Sequence, residues 1–117
     1  MSDFYCDRII NGDFAVDVVW ETENILAFHH TQPYFEAHIV IIPKQHITSL
    51  ASPQSANPIL AAEFLQVIQI VTARLEQQWG GCRVCSNIGD YQSSKHLHWY
   101  VHAGKRLRDE TGILNKN

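Results

Sequence analysis

The run from Lys95 to Lys105, Lys-His-Leu-His-Trp-Tyr-Val-His-Ala-Gly-Lys, carries side chains able to do chemistry at two-residue spacing. His96, His98, Tyr100 and His102 alternate with Leu97, Trp99 and Val101, the period of a strand with one buried and one working face. Rings two apart on one face have Cα atoms roughly 6–7 Å apart, so His96 and His98 can both touch one phosphate-sized group. Imidazole changes charge near neutral pH, which suits nucleophilic attack, proton transfer or ligation of zinc, copper or nickel. One strand histidine is most often a surface residue, and two can be accidental. Four polar rings alternating with Leu, Trp and Val favour function, and the spacing permits a metal without requiring one.

The bulk of the 117-residue chain bounds the rest: one domain, with a core able to fold alone. A net charge of −3 with histidine neutral offers no broad basic field for nucleic acid. Lys105, Arg106 and Arg108 form a small cluster that reads as a solvated tail. No apolar run approaches the ~18 residues of a membrane span, and Ser2-Asp3-Phe4-Tyr5-Cys6-Asp7 is not a signal peptide. A cytoplasmic protein with neither membrane nor nucleic-acid partners is expected. Cys6, Cys82 and Cys85 do not make a disulfide framework. Cys82 and Cys85 have C-x-x-C spacing but sit in a strand pattern, where residues three apart face opposite ways, and both read as packing residues.

Asp7 to Asn11 forms one short helical turn anchored by Ile9 and Ile10 and stopped by Asn11-Gly12. Val18-Val19-Trp20 and Ile25-Leu26-Ala27-Phe28 flank a polar four-residue turn and predict a hairpin. Pro33 marks the loop that follows, and Ala37 to Ile42 is a β-branched run that predicts a central strand. Asn57-Pro58 starts a helix, with Asn as N-cap and Pro first inside, and Gly80-Gly81 stops it after about Gln78. Its wet stripe is narrow, while Leu60, Phe64, Val67 and Val71, with Ala61, Leu65, Ile68 and Leu75, need more cover than one sheet supplies. A second copy of the chain packed helix to helix is the simplest source of that cover. Cys82 to Ser86 is a further strand, and the polar loop Asn87 to Ser94 can offer N–H and hydroxyl groups to an anion on its way into the histidine run. The order implies an α+β fold: an antiparallel five-stranded sheet with one long helix and a short N-terminal helix. Residues 1–104 form the domain and 105–117 a tail, frayed from Asp109 onward.

Leu26-Ala27-Phe28, Pro33, His38-Ile39-Val40-Ile41-Ile42-Pro43-Lys44-Gln45-His46, Asn87-x-Gly89, Gln92-Ser93 and His96-Leu97-His98 together resemble the histidine triad superfamily of nucleotide-binding hydrolases and transferases. The likeness runs from about Ile9 to Gly104. It implies a homodimer that cleaves a nucleoside monophosphate from a leaving group through a covalent nucleotidyl-histidine, with no cofactor. His98 takes the place of the nucleophile; His96, Ser93, Gln92 and backbone N–H groups take that of the phosphate cradle. Asn87 matches a position beside sugar and phosphate, and Phe28, His29 and Ile9 would line the base and ribose side. Tyr100 replaces the third histidine of the motif, and His30 replaces an acidic residue that accepts from the ribose hydroxyls. Zinc-bearing members carry an N-terminal C-x-x-C, whose places fall on Phe4 and Asp7 here, with Cys6 at neither. No structural metal is therefore expected, because His46 and His96 would lack two thiolates.

Two other functions compete with the enzyme: a binding module in which Tyr100 and His30 record lost catalysis, and a metalloprotein using His96, His98 and His102. The enzyme reading requires the His98 ring to stand uncovered beside a cradle made by residues 92, 93 and 96.

Overall fold

The computed structural model describes residues 5–12 and 14–115. Five strands, β1 (Val18–Glu21), β2 (Ile25–His29), β3 (Phe35–Pro43), β4 (Arg83–Ser86) and β5 (Trp99–Arg106), form one antiparallel sheet in the order β1-β2-β3-β5-β4. The predicted hairpin is β1–β2, with Glu21 opposite Leu26, and the β-branched run is the middle strand.

A single long helix, α1 (Pro58–Trp79), covers one face of this sheet. It starts where Asn57 Oδ1 accepts from the N–H groups of Ile59 and Leu60 at 3.1 and 3.2 Å, and it ends at Gly80, whose φ of 82° needs a residue without Cβ. Phe64, Val67, Val71 and Leu75 lie on one stripe and pack on Ile25, Ala27, Ile39, Ile41 and Val101. Each of these side chains except Ala27 contributes about 1.5–3 kcal/mol by leaving water. The Glu63 carboxylate takes the Thr22 hydroxyl and the Asn24 side-chain amide, pinning the helix to the β1–β2 turn. By length and composition α1 could cross a membrane, but here its apolar stripe lies on the sheet. Its outer face leaves Ile59 80 % and Leu65 56 % exposed, the surplus predicted from the sequence.

The opposite face is covered by the N-terminal turn Tyr5–Ile10, which opens into a wide π-type turn and begins two residues before the predicted one. Tyr5 and Ile9 pack on Leu26, Phe28, Val40 and Ile42.

Three expectations change. His96 and His98 precede β5 rather than lying in it, because the N–H of Leu97 bonds to the Ile47 carbonyl at 2.6 Å and ties this stretch to the β3–α1 connection. Cys85 is exposed on the edge strand, whereas Cys82 packs against the core as predicted. The tail folds back as far as residue 115: Asp109 accepts from the N–H groups of Thr111 and Ile113, Arg108 pairs with Leu114, and Leu107 N–H bonds to Tyr34 O. Arg108 is a clamp on the Pro33 and Gly112 carbonyls rather than a solvated charge.

Candidate active site

His98 is fully buried, with its Nδ1 2.6 Å from the carbonyl oxygen of His96. A carbonyl only accepts, so Nδ1 carries the proton and Nε2 keeps the lone pair. The Ser86 hydroxyl donates to the His98 carbonyl at 2.7 Å and holds the backbone that sets the ring. The expectation that this imidazole stands uncovered is not met. The rings of Tyr100 and Tyr5 pack against it at centroid distances of 4.9 and 5.3 Å.

Beyond those two rings lies a cavity of about 240 Å³ lined by Tyr5, Phe28, Val40 and Tyr100 and by His30, Thr31, Ser93 and Ser94. His98 is not among its lining residues. The Tyr100 phenol hydrogen-bonds with Tyr5 and Ser93, and burial raises its pKa, so it remains a neutral donor. Ser94 Oγ is buried and has no hydrogen-bond partner among the described residues. Among the described residues the cavity wall carries hydroxyls and one imidazole, groups that suit ligand oxygens.

The remaining residues singled out in the sequence are distributed unevenly. Gln92 donates through Nε2 to the carbonyls of Thr48 and Ser94 and accepts from Gly89 N–H at 3.0 Å, so its amide holds the loop instead of a phosphate. His96 is fully buried, with Nε2 2.9 Å from the Pro43 carbonyl and Nδ1 3.3 Å from Cys6 Sγ; it does not border the cavity. Phe28 lines the cavity and Ile9 packs beneath the N-terminal turn. His29, one residue on in β2, faces the other side of the sheet and lines a separate hollow with Arg74 and Trp79, as strand alternation requires. Asn87 follows β4, half-buried and outside the cavity wall.

His30 and His38 stack at 4.4 Å beside Tyr100. Their Nδ1 atoms accept from the N–H groups of Gln32 and Tyr34 at 3.0 and 2.9 Å. Burial, with His98 and Arg108 nearby, lowers the His30 pKa to about 4; burial, with His30 and His102 nearby, lowers that of His38 to about 3. His102 lies flat on Phe35 with ring centroids 3.8 Å apart, and burial together with Arg83 and Arg106 lowers its pKa.

Sequence reasoning missed Tyr5, Thr31 and Ser94, and it left Cys6 outside every constellation. Cys6 Sγ lies 3.8 Å from His46 Nδ1 as well as 3.3 Å from His96 Nδ1, and the three donor atoms all fall within 4.8 Å of one another. No local signal joins residues 40 and 90 positions apart. The metal set once conceived from His96, His98 and His102 does not assemble among the described residues, because His102 is stacked on Phe35.

A five-stranded antiparallel sheet with one helix on one face and buried imidazoles on the approach to its fourth ladder defines an α+β domain with a histidine-based site. The chain belongs to the HIT domain family, whose model matches residues 12–107. It is 35 % identical over 103 residues to an uncharacterized HIT-like protein of Chlamydia trachomatis, covering 86 % of this chain and 92 % of that one. A 14 kDa zinc-binding protein of Zea mays is 33 % identical over 105 residues, covering 86 % and 81 % of the two chains. Among solved structures, a HIT family hydrolase from Legionella pneumophila superposes with a TM-score of 0.78 at 26 % identity, over 93 % of this chain and 98 % of that one. A histidine triad nucleotide-binding protein from Sulfolobus tokodaii, described as hypothetical, gives 0.74 at 27 % identity, over 86 % and 67 %.

A thiol and two imidazoles gathered at Cys6, His46 and His96 make zinc the ion to test there. Tetrahedral zinc holds sulfur at about 2.3 Å and imidazole nitrogen at about 2.0 Å, which sets S···N separations near 3.5 Å. The observed separations of 3.3 and 3.8 Å bracket that value. His96 also has the tautomer a ligand needs, since Nε2–H is given to the Pro43 carbonyl and Nδ1 keeps its lone pair. One thiol and two imidazoles therefore fit a zinc-class ion through three protein donors. Of the two C-x-x-C places, Asp7 provides no thiol and Phe4 lies outside the described residues.

Proposed function

We propose that this protein is a nucleotidyl hydrolase or transferase that cleaves a nucleoside monophosphate from a small leaving group through His98. The observation that carries the reading is the tautomer of that ring: Nδ1–H is committed to the His96 carbonyl, which leaves Nε2 as a neutral nucleophile once the Tyr5 and Tyr100 rings that cover it move aside. The Nε2 lone pair forms a bond to the α-phosphorus as the bond to the leaving group breaks, and an amine leaving group departs with a proton from solvent. Water then attacks phosphorus, the P–N bond breaks, and the monophosphate leaves. Through both steps the carbonyl of His96 faces an imidazole ring that has become cationic, which stabilises the intermediate. The hydroxyls of Ser93, Ser94 and Tyr100 are the donors available to phosphate oxygens, and Phe28 supplies the apolar wall for a base. A zinc-class ion on Cys6, His46 and His96 would bridge the N-terminal turn to the histidine segment, and its chemistry there is structural.

The test is to incubate the protein with adenosine phosphoramidate and search for an acid-labile adenylyl adduct by mass spectrometry. Adduct on His98 in the wild type and none in His98→Ala is the expected result. Equal monophosphate release by both proteins rejects the mechanism.

A nucleotide-binding module without turnover is the second reading, favoured by the burial of His98 behind Tyr5 and Tyr100. Nucleoside monophosphate raising the melting temperature with no adduct and no turnover would select it.

The active form in this proposal is a homodimer. The outer face of α1 and the neighbouring edge strand leave an apolar groove of about 500 Å³ walled by Leu60, Phe64, Leu65, Ile68, Val84 and Trp99. A second copy laid along it would bury the exposed side chains of α1 together with the open edge of β4. Light scattering should give a dimer for the wild type and a monomer for Leu65→Arg.

A further inference from the structure

The N-terminal turn touches two parts of the site with consecutive residues. Tyr5 lays its ring 5.3 Å from that of His98 and lines the cavity from which His98 is screened. Cys6 presents its thiol to His46 and His96. Tyr5 is itself only 7 % exposed, and its ring lies between the cavity it lines and the buried imidazole it packs against. For any phosphorus atom to come within bonding distance of Nε2, this cover has to move.

We propose that the Tyr5–Ile10 turn is a gate over His98, and that a zinc-class divalent cation held by Cys6, His46 and His96 latches the gate shut. The proposal rests on the reading of His98 as the reacting group.

The turn has six residues, too few to hold a helical shape without tertiary contacts. Its position is therefore set by tertiary contacts, those of Tyr5, Cys6 and Ile9 among them, and whatever holds Cys6 also holds the Tyr5 ring beside it. Adjacent Cα atoms are 3.8 Å apart, so fixing the Cys6 sulfur on two imidazoles restricts the phenol next to it. When the turn swings out, Cys6 leaves with it and His46 and His96 remain as an incomplete pair. The cation thus binds the closed form in preference to the open one and shifts the population by mass action. At a free concentration one hundred times its dissociation constant, the open population falls about 100-fold. The donor set selects the class of ion: one thiolate and two neutral imidazoles suit zinc rather than calcium or magnesium. Binding releases the thiol proton to solvent.

The test reads accessibility of the ring, not turnover. Zinc stoichiometry is measured on the full chain by competition with a chromophoric chelator. The rate of His98 acylation by diethyl pyrocarbonate is followed by peptide mass spectrometry with and without one equivalent of zinc. In the wild type, zinc should bind one to one and slow His98 acylation at least tenfold, with reversal by chelator. Cys6→Ser should weaken zinc binding at least 100-fold and acylate equally fast in both conditions. Tyr5→Ala keeps the three donors and should bind zinc yet acylate quickly throughout; Tyr5→Leu makes the same prediction if the alanine variant melts early. A wild type that binds no zinc at micromolar concentration, or whose bound zinc leaves His98 acylation unchanged, overturns the latch. Slowing by zinc that persists in both Tyr5 variants overturns the gate. Absence of a nucleotidyl adduct would remove the enzyme reading and leave these rates as they are, so the two failures are distinguishable.

Discussion

His96 and His98 on one side of Tyr100, and His30 and His38 on the other, are buried or half-buried imidazoles in the same layer, but each pair meets a different backbone atom. His96 and His98 face the carbonyl oxygens of Pro43 and His96, while His30 and His38 face the N–H groups of Gln32 and Tyr34. A carbonyl forces the imidazole to donate and leaves the remote nitrogen basic, fit to ligate or attack. An N–H forces it to accept, leaves the remote nitrogen as a donor, and opposes protonation because the lone pair is already used. The backbone partner thus sets the tautomer of each ring, while burial keeps His30 and His38 neutral.

The largest break in this comparison comes from removing the proposed nucleophile. His98→Ala should lower nucleotidyl-adduct formation by at least about 10³-fold, measured with the phosphoramidate, with the fold retained by circular dichroism. Next is His96→Phe, which leaves the buried Pro43 carbonyl without its donor; urea unfolding should show a loss of about 1–3 kcal/mol. The acid side of the comparison is read by pH. With folded pKa values near 4 for His30 and 3 for His38, against 6.5 in the unfolded chain, the unfolded state binds more protons below pH 6.5. The stability these rings contribute is complete above pH 6.5 and declines as pH falls toward 4, so the melting temperature should drop across that window. His38→Asn, with an amide oxygen to accept from Tyr34, should flatten the decline. The smallest effect concerns selectivity. His30 presents a donor where a sugar diol would need an acceptor, so the wild type should discriminate little between ribo- and 2′-deoxyribonucleoside monophosphates. His30→Asp should favour the ribonucleotide by about 3- to 10-fold in binding, the worth of one hydrogen bond.

Local rules made much of the architecture legible. Asn57-Pro58 and Gly80-Gly81 bounded α1 because cap chemistry is written in adjacent residues, and alternation of apolar residues marked the hairpin and the middle strand. The same alternation rule misplaced His96 and His98, because the bond from Leu97 N–H to Ile47 draws that stretch off the strand. The family resemblance placed His29 with His30 in one site, whereas alternation at the end of β2 turns His29 to a separate hollow and leaves His30 in the cavity wall. The same resemblance gave Gln92 to the phosphate, whereas the backbone groups of Gly89, Thr48 and Ser94 claim its amide.

What this sequence determined unaided is whatever depends on neighbours within a few positions: the helix and its ends, the strand runs, the family pattern, and an apolar surplus on α1 that calls for cover. Only the tertiary structure decided which atom each imidazole meets, that Tyr5 closes over His98, and that Cys6 arrives between His46 and His96. Those outcomes depend on where distant backbone carbonyls and N–H groups come to rest, and a hydrogen bond or a ligand set has no record in the chain until folding brings its partners within about 3–4 Å.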